Sequence, residues 1–113
     1  MEEGIRSILS AELNRMPEPR RLKLLEYSVE PYKVPRSRGF RDGFSECWIV
    51  AVAAAVLLVF CEDGLSKHYR WGILDPRASD LGGDDSWHAT LDDAFMNSGL
   101  CDPRLIPSGY EVP

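Results

Sequence analysis

The sequence is poor in the residues and spacings that catalysis and metal binding require. It has two histidines, His68 and His88, twenty residues apart, and no CxxC, HxxxH or HExxH pattern. A zinc site needs three or four Cys, His or acidic ligands, usually with a close-spaced pair. The composition therefore offers only a grouping in space of His88 with Asp84 and Asp85. There is no GxSxG nucleophile elbow and no glycine-rich loop opening a helix. Gly82–Gly83 is a bare pair among acids that repel phosphate. "DLGGDD" has the residue types of a calcium loop, but not the alternate spacing, and no Glu lies between Asp63 and Glu111. These absences point to a non-enzymatic chain with no cofactor and no metal; a small enzyme built on His88 and its neighbouring aspartates is an alternative reading.

Cysteine is scarce as well. Cys47, Cys61 and Cys101 are an odd number without a dense framework, which excludes a disulfide-stapled secreted scaffold. "MEEGIRSILSAEL" has acids where a secretory signal needs a basic start and an apolar run. Both observations favour a reducing, cytoplasmic location. Cys47 and Cys61 then read as small buried hydrophobes.

A transmembrane segment is also missing. The longest uncharged run, "CWIVAVAAAVLLVFC", has fifteen residues between Glu46 and Glu62, whereas a spanning helix needs about 20. No membrane partner is expected. Ala51, Ala53, Ala54 and Ala55 suit a buried helix, but Ile49, Val50, Val52, Val56 and Val59 prefer a sheet. "CWIVAVA" and "VLLVFCE" are each strand length. "EDG" is a turn signal, and "SKHYRWGIL" alternates as a third strand. The expectation is an antiparallel meander over 47–53, 56–62 and 67–74, with a helix followed by a strand as the competing reading.

What is present is ordinary globular composition. The chain has 113 residues, 44% hydrophobic and 27% charged, which suits one small α+β domain spanning 1–113. Ile5, Ile8, Leu9, Leu13 and Met16 mark one face of a helix over 3–16, ended by Pro17 and Pro19, with Glu12 and Arg15 placed elsewhere around it. An extended segment over 23–30 follows, read as an edge strand because Pro31 blocks further pairing. "VPRSRGFRDG" reads as a basic surface loop and "DPRASDLGGDDS" as an acidic one. Thr90 caps a short helix that Gly99 can close, and "CDPRLIPSGYEVP" is an extended tail. The fold class is thus α+β, an N-terminal amphipathic helix and a short C-terminal helix on an antiparallel meander of three to four strands.

Charge is unevenly spread. Residues 1–41 hold nine Lys/Arg against six Glu, a balance of +3, and residues 42–113 hold four against twelve acids, a balance of −8. Two surfaces follow. Asp75, Asp80, Asp84, Asp85, Asp92 and Asp93, with Trp87 among them, make an acidic loop–helix face with an aromatic anchor. Lys33, Arg36, Arg38 and Arg41, interleaved with Tyr32, Phe40 and Phe44, make a basic face of the kind that holds single-stranded nucleic acid. A sequence pI near 5.0 weighs against nucleic acid. The leading expectation is a protein-interaction module of the bacterial immunity or inhibitor type, binding a basic partner such as a toxin domain. No motif ties the chain to such a family. Self-association, strand order and the identity of the partner are left open.

Overall fold

The first helix, α1 (Glu2–Arg15), forms where the apolar spacing predicts it, and it turns Ile5 and Met16 into the core, with Leu9 and Leu13 packed beside them. The computed structural model describes residues 2–38 and 43–111. Glu12, expected on the solvent side of α1, is instead buried at the centre of the inward face, one turn from Leu9 and Met16. Its carboxylate accepts from the Leu91 N–H at 2.9 Å and from Arg15 Nη1 at 3.0 Å. A buried carboxylate is tolerated there because both oxygens have donors.

Pro17 and Pro19 do end α1, but they also start a second helix, α2 (Glu18–Leu25), in place of the expected extended segment. Proline costs nothing in a first turn, where the N–H groups have no helical partner. Its buried residue is Leu24, and Leu22 and Leu25 stay exposed. The strand β1 (Ser28–Ser37) comes later than expected and takes in the first part of the presumed basic loop. It is an edge strand, and Pro31 and Pro35 lie along it without breaking the sheet.

Among the described residues five strands form one antiparallel sheet in the order β1-β2-β3-β4-β5. They are β1, β2 (Phe44–Val52), β3 (Leu57–Cys61), β4 (Trp71–Leu74) and β5 (Trp87–His88). The apolar run is two strands, as expected, joined by a turn that the Ala53 N–H closes on the Val56 carbonyl at 2.9 Å. The third strand is shorter than the alternation suggested. Ser66 and Tyr69 bridge one another across a turn, and β4 begins only at Trp71. Gly64 has φ +46 in this turn, and a Cβ there would stand 2.2 Å from the Tyr69 carbonyl oxygen.

Both faces of the sheet are covered, which is why the run has no polar alternation. Val50, Leu58, Phe60 and Trp71 face α1, α2 and a third helix, α3 (Leu91–Asn97), whose Leu91, Ala94 and Phe95 are fully buried. Cys47, Ile49, Leu57, Val59, Cys61 and Leu74 face the other way, with Trp87, under Val29, Val34 and Leu81. A register shift between Ile49 and Ala51 puts Val50 and Ala51 on the same side. The architecture is α+β, helices packed on an antiparallel sheet. No helix among the described residues is long and apolar enough to cross a membrane.

Candidate functional site

At the end of the sheet where β2 begins and β3 stops, two turns stand apart and leave an open groove. One wall is the turn after β3, with Asp63, Gly64 and Leu65, and the other is Leu81–Asp84 with Trp87. The space is about 400 Å³, with Ser45 and Arg38 also lining it. It continues past Leu65, Asp84 and Trp87 into a second hollow of about 720 Å³ bounded by Tyr69, Ile73, Asp85, His88 and Asn97.

Each wall is held by local chemistry. Asp80 Oδ1 accepts from the Gly82 N–H at 3.0 Å, and a single 3-10 turn, Asp84–Ser86, carries the chain into β5. Trp87 Nε1 donates to the Leu81 carbonyl at 2.9 Å. The Trp87 ring lies over Gly72, where an added Cβ would come within 2.8 Å of it. Trp87 is therefore a core residue whose edge reaches the groove, not the exposed anchor expected. The exposed large apolar side chains of the groove are Leu65, at 46%, just before the segment read as a strand, and Tyr69, at 37%, within it.

The six aspartates do not form one free face. Asp92 is gripped by Arg20 in a two-pronged pair, Nε to Oδ1 at 2.8 Å and Nη2 to Oδ2 at 2.7 Å, which raises the Arg20 pKa. Asp93 belongs to the start of α3. Its N–H donates to Thr90 Oγ1 at 3.0 Å, Thr90 donates back to its carboxylate, and the Tyr110 hydroxyl donates to Oδ1 at 2.9 Å. Burial, then this carboxylate, push the Tyr110 pKa up to about 12. Asp75 closes its own turn on the Arg77 N–H, which with the Arg77 guanidinium holds its pKa below the usual value. Asp84 and Asp85 remain, exposed at the mouth of the groove, and no ion pair among the described residues engages either.

His88 shares the second hollow with Asp84 and Asp85. It is buried, and its Nε2 has no hydrogen-bond partner among the described residues. Burial lowers its pKa, against an upward pull from Asp93 and Asp85. No group of three or more His, Cys, Asp or Glu among the described residues is arranged to hold a metal ion.

The basic candidates are dispersed. Arg36 is buried, not in a surface loop, and its guanidinium donates to the carbonyls of Ala78 at 2.7 Å, Asp80 at 3.0 Å and Asp75 at 3.3 Å. Arg38 donates to Ser45 Oγ at 2.9 Å and to Asp63 at 3.0 Å. Lys33 pairs with Glu46 at 3.2 Å and lies over the Trp48 ring, 5.4 Å from its centroid. Phe40 and Arg41 lie outside the described residues.

Sequence reasoning missed Ser45, Asp63, Leu65 and Tyr69 as groove residues. Only the "EDG" turn pointed to that wall, because nothing local to it tells which distant loop it will face. No protein-family model, no curated protein and no solved structure matches the chain.

Proposed function

We propose that this chain is a non-enzymatic binding protein that holds a basic protein partner in the groove between the two turns, as an inhibitor or immunity protein would. One observation carries the reading. Asp84 and Asp85 present carboxylates that no described residue pairs with, beside two exposed apolar side chains, Leu65 and Tyr69. Arg38 is the one Lys or Arg among the described groove residues, and Asp63 already pairs with it. An unneutralised acidic rim draws a cationic partner by long-range attraction, and the apolar patch supplies the short-range contact area. A lysine or arginine side chain suits such a place, with its stem on Leu65 or Tyr69 and its charge at the carboxylates.

The acidic surface is thus narrower than the 75–95 loop–helix surface expected from the sequence. Its carboxylates without a described ion pair at the groove are Asp84 and Asp85, with Asp63 held by Arg38, and Asp92 and Asp93 engaged elsewhere. An arginine-rich peptide titrated into labelled protein at about 50 mM salt, where charge attraction is weakly screened, is the test. Amide shifts are expected to concentrate in 63–69 and 81–88. The Asp84→Lys/Asp85→Lys variant is expected to weaken binding by about tenfold or more. A charge-matched Glu18→Lys/Glu111→Lys control should weaken it far less. Equal loss in both variants, or shifts centred on other elements, would reduce the effect to net charge and end the reading.

A further inference from the structure

We propose that Cys47 and Cys61 form an oxidisable dithiol that closes to an intrachain disulfide when a small hydroperoxide reaches it. The two residues are direct cross-strand partners of β2 and β3. Directly opposed residues of an antiparallel pair have Cα atoms about 4.5 or 5.5 Å apart. Both spacings fall in the range of about 4.4–6.8 Å that disulfides occupy. The side chains lie on the same face of the sheet, in one cluster of buried residues. Both are free and buried.

The surroundings distinguish the two sulfurs. The neighbouring Cys47 thiol and the backbone N–H groups of Gly64 and Asp63 lower the Cys61 pKa against the burial that opposes ionisation. Cys47 moves up, because the adjacent Cys61 sulfur favours its protonated form, burial opposes its charge, and a second charge would sit beside the first. Cys61 attacks and Cys47 resolves, and the disulfide formed is the same if the two exchange roles.

Access comes from the groove. Ser45 precedes Cys47 by two residues, Asp63 follows Cys61 by two, and Ser45 Oγ lies 3.4 Å from Asp63 Oδ2. Both line the groove, and the buried Cys47–Cys61 pair is the end pair of the β2–β3 ladder, two residues from each of them.

The chemistry balances in two steps. The Cys61 thiolate attacks one oxygen of the hydroperoxide, the O–O bond breaks, and the departing oxygen leaves as alcohol or water after taking a proton. Cys61 is then a sulfenic acid. The Cys47 sulfur attacks it, the S–O bond breaks, and hydroxide leaves as water with the Cys47 proton. Two thiols lose two electrons and two protons, and one hydroperoxide is reduced.

Cys101 is an internal control. It is buried on the helix side of the sheet, with no second cysteine beside it, and burial raises its pKa. The native chain is treated with hydrogen peroxide, quenched in acid, denatured and alkylated. The expected product is lighter than the untreated chain by about 2 Da before alkylation. It has one alkylated thiol at Cys101 and a peptide linking Cys47 to Cys61, and dithiothreitol restores all three thiols. Cys61→Ser should abolish the mass loss and leave Cys47 alkylatable. Loss of the Cys101 thiol at the same rate as the pair, a covalent dimer as main product, or a disulfide formed only in denaturant would overturn the proposal. The linked peptide from the native chain decides the matter even if Cys61→Ser fails to fold.

Discussion

His88 shows how burial sets chemistry at the scale of one residue. Desolvation disfavours the imidazolium, and the carboxylates of Asp93 and Asp85 only partly offset it, so the folded pKa lies below the ordinary value. The unfolded chain titrates this group near about 6.5. As pH falls below that value, the unfolded state binds a proton that the folded state refuses. Stability is full above the unfolded pKa and is lost as pH falls through the folded one. Thermal melts between about pH 7 and 5 should therefore show a falling midpoint, and His88→Leu should flatten that slope. The carboxylates whose pKa values are lowered, Asp75 and Asp102, act in a more acidic window, Asp102 being held at about 2 by Arg104. An unchanged slope in His88→Leu would assign the acid sensitivity to other groups.

Among the elements, α1 and α3 depend on each other through Glu12. The Leu91 N–H is one of the donors that a helix start leaves without an internal partner, and Leu91 is fully buried. Thr90 satisfies the Asp93 N–H, as its place before an acidic first turn predicts. The Leu91 donor is met from across the molecule. Glu12→Ala leaves it orphaned and should lower the unfolding free energy by about 2 kcal/mol. Glu12→Gln, which keeps an acceptor, should recover part of the loss. Urea denaturation of the three proteins checks both statements, and equal stability of Ala and Gln would show that the acceptor does not matter. The same scale explains α2. Its prolines read as breakers because a helix end and a helix start both admit proline, and only the burial of Leu24 and the Arg20–Asp92 pair tell which one holds.

Over the whole molecule, the basic and acidic halves are laced together. Arg20–Asp92, Lys33–Glu46 and Arg38–Asp63 each join a residue before position 42 to one after it. Arg36 adds a different link. Its buried guanidinium collects three carbonyls of the segment after β4, which pins that loop over the Cys47–Leu74 face of the sheet and sets one wall of the groove. Arg36→Met removes the donors and strands those carbonyls. It should cost about 3 kcal/mol of stability and open 75–83 to limited proteolysis. Arg36→Lys should rescue little, because an ammonium cannot reproduce the guanidinium fork. A loop that stays protease-resistant in Arg36→Met would show that Trp87 and Leu81 hold it unaided.

The sequence alone determined what depends on neighbours a few residues apart. The 3.6-residue spacing placed α1, Thr90 and Gly99 bounded α3, and the length and β-branched content of "CWIVAVAAAVLLVFC" made two core strands rather than a span. Tertiary structure decided whatever depends on a distant partner. It alone shows that Glu12 and Arg36 are buried, that Trp87 lies on Gly72, and that Asp92 belongs to Arg20 while no described residue forms an ion pair with Asp84 or Asp85. The physical reason is that a charge or an aromatic ring carries no label saying whether it will meet water or a partner. Periodicity tells which face of an element is apolar, whereas the fate of a polar side chain is set by the loop or helix that packs beside it.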